Sequence, residues 1–387
     1  MLLRPRRRRG IIGGQMIPRP VKGLTTMHHV HEPDGLEALL LSSAQAGDEH
    51  AFRQLVELQR SDVEAHCYRM LGSLQEAEDA YQDTLLRAWR ALDGFDGRSR
   101  FGTWVHRIAT NVCLSALARN PVHRALPAGL DAHDGFDEAG AWLGPYPDVA
   151  RGLGPGRADP SSSYERREAV ELAFVAALQL LPARQRAALI LREVVGLSAA
   201  EIAAALETTV PAVNSAIQRA RARLDAERPV ESQQATARAL GDARVAAVVA
   251  GFAHALEEGD ARALARLLSE DVVFEMPPES EVARGSAEVA RSWLVPVRRP
   301  TGLRTRVTVI NAQPAVAVYR HESVDEPARP IALDVLTLSR DAISRITAFR
   351  VTESFGALGL PEALPPCDDF APAPDDVRKH TGTKRSS

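Results

Sequence analysis

Asn214, Ser215 and Gln218 stand at helical spacing in a segment that also carries Arg219, Arg221 and Arg223, with no acid between Thr209 and Leu224. Carboxamides suit bidentate contact with adenine in the major groove, each good pair discriminating by about 1–3 kcal/mol. Guanidinium groups suit phosphate oxygens, which position a protein on a duplex without specifying sequence. The preceding residues show how such side chains are presented. Ser198 and Glu201 have capping-box spacing, and Ile202 and Leu206 give the helix they open an inward face. A three-residue turn follows, and Thr209 caps a second helix that tolerates Pro211 in its first turn. Val213, Ile217 and Ala220 make one side of that helix apolar. This is a helix-turn-helix pattern, whose second helix enters the major groove amino end first. Asn214 and Gln218 are the base-reading candidates, and Arg219, Arg221 and Arg223 are placed for phosphates. The bland alternative is a helical hairpin with a solvated arginine face.

A second constellation gathers Tyr81, Trp89, Phe95, Phe101 and Trp104 within 24 residues, interleaved with Arg98, Arg100, His106 and Arg107. Aromatic rings among cations suit single-stranded nucleic acid, each stacked base contributing about 1–3 kcal/mol. Tyr81 and Trp89 fall on the apolar stripe of a helix and read as core; Phe95 and Phe101 fit either role. On the opposite face of that helix, Asp79, Gln82, Asp83, Leu86 and Arg90 recur at i, i+3, i+4 spacing, as a protein-docking face or as a solvated one.

The elements that carry these groups divide the 387 residues into several units. Residues 36–119 read as an all-helical module, with Asp48 as one cap and Ser73 and Glu76 as a capping box after Gly72. Residues 120–163 hold seven Gly and six Pro among scattered acids and read as a flexible linker. Helical periodicity returns over 164–228. The pattern then changes class, with a helix over about 240–257, a short one after Asp260, and strands at 272–274, 304–310, 315–319, 331–338 and 343–351, which is an α+β order over 236–356. The arginine-rich residues 1–35, in which Met16 and Met27 are alternative starts, and the tail 357–387 read as disordered. With 45% hydrophobic and 25% charged residues, and no apolar run long enough to span a bilayer, the composition excludes fibrous and membrane-spanning classes. Cys67, Cys113 and Cys367 lie far apart, with neither disulfide nor zinc spacing, and point to a reducing cytoplasm.

The stretch from Glu76 to Trp89, then Phe95, and Phe101 to Asn111, resembles region 2 of bacterial RNA polymerase sigma factors of the extracytoplasmic-function group. The helix-turn-helix, preceded by Leu181-Pro182-Ala183-Arg184-Gln185-Arg186, resembles their region 4. The resemblance implies an initiation factor that is not itself an enzyme and needs no cofactor or metal. It implies binding to core RNA polymerase, through its clamp helices and flap, with Asp79, Gln82, Asp83, Leu86 and Arg90 as the region 2 contact. Phe95, Arg98, Arg100, Phe101, Trp104, Arg107 and Asn111 would melt and hold the minus-ten element of promoter DNA. Thr209, Asn214, Ser215, Gln218, Arg219, Arg221 and Arg223 would engage the minus-thirty-five element. Many members carry basic residues where this chain has Asn214 and Ala216, so the promoter sequence does not transfer. An anti-sigma factor or a small ligand are further partner classes left open.

Residues 236–356 exceed the minimal form of that family. Their order resembles the SnoaL-like family, a cone of helices and curved sheet with a pocket at its mouth. The expected fold is therefore multidomain: two all-α sigma modules and a C-terminal α+β cone. Candidate pocket groups are Glu275, Met276, Trp293, Tyr319, Asp334 and Phe349. A regulatory role for this domain is the leading expectation. A cyclase or hydrolase-type enzyme with vestigial DNA-binding helices, which would need paired titratable groups, and a free-standing helix-turn-helix repressor are the alternatives.

Overall fold

The computed structural model describes residues 35–119, 143–147, 170–227, 232–277, 279–294, 302–323, 325–350 and 352–366. The basic N-terminal segment, most of the linker and the last part of the tail lie outside the described residues.

Five helices form the first module: α1 (Gly35–Gln45), α2 (Glu49–Glu57), α3 (Arg60–Leu71), α4 (Leu74–Ala91) and α5 (Phe101–Arg119). Local chemistry sets their ends. Asp48 Oδ1 accepts from the amides of His50 and Ala51 at 2.8 and 3.1 Å, opening α2. Gly72, at φ 78°, ends α3 in the left-handed conformation that costs glycine nothing, and Ser73 caps α4 through the Glu76 amide. The second module holds α6 (Leu172–Gln179), α7 (Ala183–Glu193), α8 (Ala199–Ala205) and α9 (Val210–Glu227). Ser198 and Glu201 form the expected reciprocal box, with 2.8 and 3.2 Å bonds. The turn between α8 and α9 places Glu207 at φ 49°, where a non-glycine residue stores about 1–2 kcal/mol.

The C-terminal domain opens with α10 (Gln233–Leu240), α11 (Asp242–Glu258) and α12 (Ala261–Leu267), followed by strands β1 (Leu268–Met276) and β2 (Glu279–Arg284), helix α13 (Ser286–Leu294), and strands β3 (Leu303–Ile310), β4 (Gln313–Arg320), β5 (Arg329–Ser339) and β6 (Ala342–Phe349). The sheet order is β2-β1-β6-β5-β4-β3, antiparallel except for the parallel β1–β6 pair. The sequence reading missed α10, β2 and α13; β2 has no alternating apolar signal, whereas α13 turns Val289 and Ala290 inward but runs for only nine residues. One face of the sheet, with Phe274, Val316, Val318, Leu336, Ile346 and Ala348, packs on α11 through Val248, Val249, Phe252 and Leu256. The opposite face, with Ala315, Ala317, Tyr319, Leu333, Val335 and Phe349, belongs to the same apolar cluster as the cores of both helical modules.

Two expectations of disorder are corrected within the described residues. Residues 143–147 of the linker are embedded: Leu143 and Tyr146 are buried, and the Gly144 amide donates to Gly72 O at 2.8 Å. The tail is ordered through residue 366, because Phe355, Leu358, Leu360 and Leu364 cover the second face of the sheet and Leu364 bridges to Ala328. In both places short apolar anchors repay backbone ordering that Pro and Gly content alone argues against.

Candidate functional site

On the first module, α4 turns Leu74, Ala77, Ala80, Tyr81, Thr84 and Ala88 inward, leaving Asp79, Gln82, Asp83, Leu86 and Arg90 exposed on one face. Leu86 is 55% exposed. It lies between Asp83 and Arg90 on that face.

The aromatic cluster resolves into core and surface. Phe95 and Phe101 are 7% and 1% exposed, with ring centroids 6.0 Å apart, and each contacts Trp104. Neither ring is open to a base, so their assignment to DNA contact is corrected to support of the loop and of Trp104. Trp104 and Arg107 are half-buried, and Arg98, Arg100 and Asn111 are exposed. Arg98 is paired with Asp96, and this hydrogen bond and charge hold the Asp96 carboxyl below the usual carboxylate range. Beneath this face, His66 Nε2 meets Thr110 Oγ1 at 2.9 Å, while Thr110 Oγ1 donates to His106 O and His106 Nδ1 donates to Gly102 O. Burial, with the neighbouring imidazole and Arg69, pushes the His66 pKa well below its ordinary value; burial lowers that of His106 as well.

On α9, Val213, Ile217, Ala220 and Leu224 are buried, and Asn214, Ser215, Gln218 and Arg219 are exposed together. Thr209 Oγ1 accepts from the Ala212 amide at 3.4 Å, so this side chain closes the helix and also sits at its exposed start. Two arginines differ from expectation. Arg221 is ion-paired with Glu193 of α7, an acid remote in sequence, with Nε donating at 3.1 Å. Arg223 is half-buried, its Nε shut in without a hydrogen-bond partner. Arg219 is the one left fully available for a phosphate.

The candidate pocket groups do not converge. Asp334 pairs across strands with Val316 and Ala348, on the face covered by α11. Tyr319 and Phe349 point to the other face, where Tyr319 Oη donates to Pro361 O at 2.9 Å and its ring meets Phe355 edge-on. Burial raises the Tyr319 pKa to about 12. Glu275 is opposite Thr347, one residue out of step with the inward Phe274, and is ion-paired with Arg345. Asp334 and Glu275 therefore lie on different faces of the sheet and do not form a carboxylate pair. Met276 borders the α11-side core, and the Trp293 side chain lies outside the described residues.

What the sequence reading did not find is a polar junction among all three parts. The two-residue turn between β3 and β4 places Asn311 and Ala312 at φ 54°, the left-handed geometry such hairpins require. Asn311 is fully buried; its amide donates to Tyr146 O at 3.0 Å and its Oδ1 accepts from Tyr146 N at 2.8 Å. Its Nδ2 donates at 2.8 Å both to Tyr68 Oη of α3 and to Val170 O ahead of α6. Tyr68 Oη donates onward to Gly144 O, and the Tyr68 and Tyr146 rings stack with centroids 4.7 Å apart. Gln313 Oε1 accepts from Leu172 N, the first amide of α6. Glu171 accepts from the amides of Gln233 and Gln234, the start of α10, at 3.0 and 2.8 Å. Gln233 in turn holds both the N–H and C=O of Leu338, where the β5–β6 register slips. Helix ends in one part are thus capped by side chains from another. The missed signal was asparagine in a two-residue turn, which reads as turn chemistry alone.

Comparison with known proteins gives three family matches: Sigma-70 region 2 over residues 55–121, Sigma-70 region 4 over 171–224, and a SnoaL-like domain over 249–347. The chain is 37% identical over 366 residues to the ECF RNA polymerase sigma factor SigG of Mycobacterium tuberculosis, covering 92% of this chain and 96% of that protein. It is 30% identical over 181 residues to SigW of Bacillus subtilis, covering 47% of this chain and 90% of that one. The crystal structure of the Mycobacterium tuberculosis extracytoplasmic function sigma factor SigJ shares the fold, with a TM-score of 0.52 at 20% identity, over 80% of this chain and 99% of that one.

Proposed function

Because the chain belongs to the extracytoplasmic-function sigma factors and carries an additional SnoaL-like domain, we propose that it docks on core RNA polymerase through the exposed α4 face and reads promoter DNA with two separate surfaces, while its C-terminal domain regulates the process. Asp79, Gln82, Asp83, Leu86 and Arg90 make the docking face. Trp104, Arg98, Arg100, Arg107 and Asn111 hold the opened minus-ten strand. Asn214 and Gln218 read the minus-thirty-five element, with Ser215, Thr209 and Arg219 on the backbone.

The observation that carries the regulatory reading is Asn311, which bonds the first module, the linker and the approach to the second module from one side chain. A domain so connected biases how the helical modules are arranged, and any ligand or partner that favours one arrangement biases transcription equally. Run-off transcription from fragmented genomic DNA with purified core polymerase, comparing the wild-type chain with Asn311→Ala, tests this. A change in transcript yield at unchanged core affinity is expected; identical yields would remove the regulatory assignment.

A further inference from the structure

Strand β3 is one edge of the six-stranded sheet, and it pairs with β4 without a register shift from Leu303 to Ile310. The two-residue turn makes Ile310 and Gln313 a hydrogen-bonded pair. Arg304, Arg306, Thr308 and Ile310 therefore direct their backbone groups to β4, and Leu303, Thr305, Val307 and Val309 turn theirs outward. One outward amide is occupied: Thr305 N donates to Glu257 Oε1 of α11 at 2.7 Å. Among the described residues the amides of Val307 and Val309 meet no acceptor, and these two residues are 54% and 43% exposed. The strand contains neither a proline nor a bulge, two of the devices that ordinarily keep an edge from pairing.

The two faces beside this edge differ in chemistry. Val307 and Val309 stand opposite Val316 and Pro314 on the face that packs on α11, and α11 exposes Ala246 and Ala250 on the side that carries Glu257. Arg304 and Arg306 stand opposite Tyr319 and Ala317, on the other face. At the same end of the sheet Arg320 lies opposite Arg329. None of these four arginines has a carboxylate partner among the described residues; Arg304 Nη1 reaches only Pro365 O, at 3.3 Å. Like charges set opposite one another destabilise a sheet, so the cluster favours an anion. A second copy of β3 paired here would bring two sets of arginines onto one face. A nucleic acid would use the arginines and leave the valines and outward amides bare. An extended segment with acids on one side and small apolar residues on the other uses all three, because side chains alternate between faces along a strand.

We infer that the β3 edge receives an extended segment of a partner protein in which acidic residues alternate with small apolar ones, and that this segment adds a strand to the sheet. The probe is a fluorescein-labelled synthetic peptide of alternating aspartate and valine, titrated with the full chain at physiological salt and followed by anisotropy. Saturable binding is expected, about tenfold tighter than for a peptide of the same composition with its aspartates and valines in separate blocks. Hydrogen exchange at Val307 and Val309 should slow in the complex. Val307→Pro deletes an outward amide and no ladder bond, a position where a strand tolerates proline, and should weaken binding about tenfold with the melting temperature retained. Arg306→Glu, which leaves the backbone intact, should act in the same direction and serves if Val307→Pro does not fold. Equal binding of the two peptides would overturn the inference, as would folded variants that bind as the wild type does. Slow exchange at Val307 and Val309 in the free chain would overturn it as well: in a monomer by sedimentation the edge then belongs to a segment of this chain, and in a dimer to a second copy. Protection of the same amides by random-sequence duplex in place of the peptide would assign the face to DNA instead.

Discussion

Helix α9 and the junction at Asn311 treat polar groups in opposite ways. On α9, Asn214, Ser215, Gln218 and Arg219 are exposed together, while the apolar side of the same helix is closed by Val213, Ile217 and Ala220. At the junction, Asn311 is fully buried and its side chain meets a backbone amide, a phenol and a carbonyl from three different segments. The same residue type leaves its carboxamide open to a partner in one place and has it consumed by architecture in the other. Exposure together with bonding decides between these roles.

The contrast is sharpest in stability. Asn311→Ala should lower unfolding free energy by roughly 2–4 kcal/mol, because it strands the Tyr146 amide and the Val170 carbonyl in the interior at about 1–3 kcal/mol each; equilibrium denaturation measures it. Asn214→Ala should leave that value within about 0.5 kcal/mol, yet erase about 1–3 kcal/mol of preference at one position of the upstream element. Binding profiles across single-base variants check it, and a profile identical to wild type would return Asn214 to the solvated-face reading. Asp83→Arg should weaken core binding about tenfold, or about 1.4 kcal/mol, with an unaltered melting temperature.

Acidity probes a buried site of a third kind. His66 and His106 have folded pKa values below their unfolded ones, so the unfolded chain binds more protons as pH falls below about 6.5. Stability should therefore decline from pH 7 toward pH 5, by at most about 1.4 kcal/mol per pH unit for each proton taken up, and His66→Gln should flatten that slope. The smallest effect belongs to Arg219→Ala, which should reduce the salt dependence of DNA binding by about one ion, uniformly across sequences.

How far the sequence revealed these features follows from the range of the interactions. The capping box of Ser198 and Glu201, the apolar side of α9 and the exposed face of α4 are encoded within a few residues of one another, and each was legible. Arg221 was read as available for phosphate because its acid, Glu193, lies 28 residues away on another helix. Phe95 and Phe101 offered no local means of deciding between core and stacking platform; the decision came from Trp104 and the surrounding helices. Strand alternation identified most of the sheet but not which face each side chain served, so Asp334, Tyr319 and Glu275 were grouped although the pleat separates them. The junction was invisible for the same reason, since Asn311 and Tyr68 are 243 residues apart.

That separation has a counterpart in time. During synthesis at about 5–20 residues per second, Tyr68 leaves the ribosome roughly 12–50 seconds before Asn311 does. The second helical module ends at Glu227, so both modules are complete for only the last part of that interval, roughly 4–17 seconds, before the hairpin that joins them is made. Each newly made molecule passes through an interval in which both helical modules exist without the hairpin that joins them.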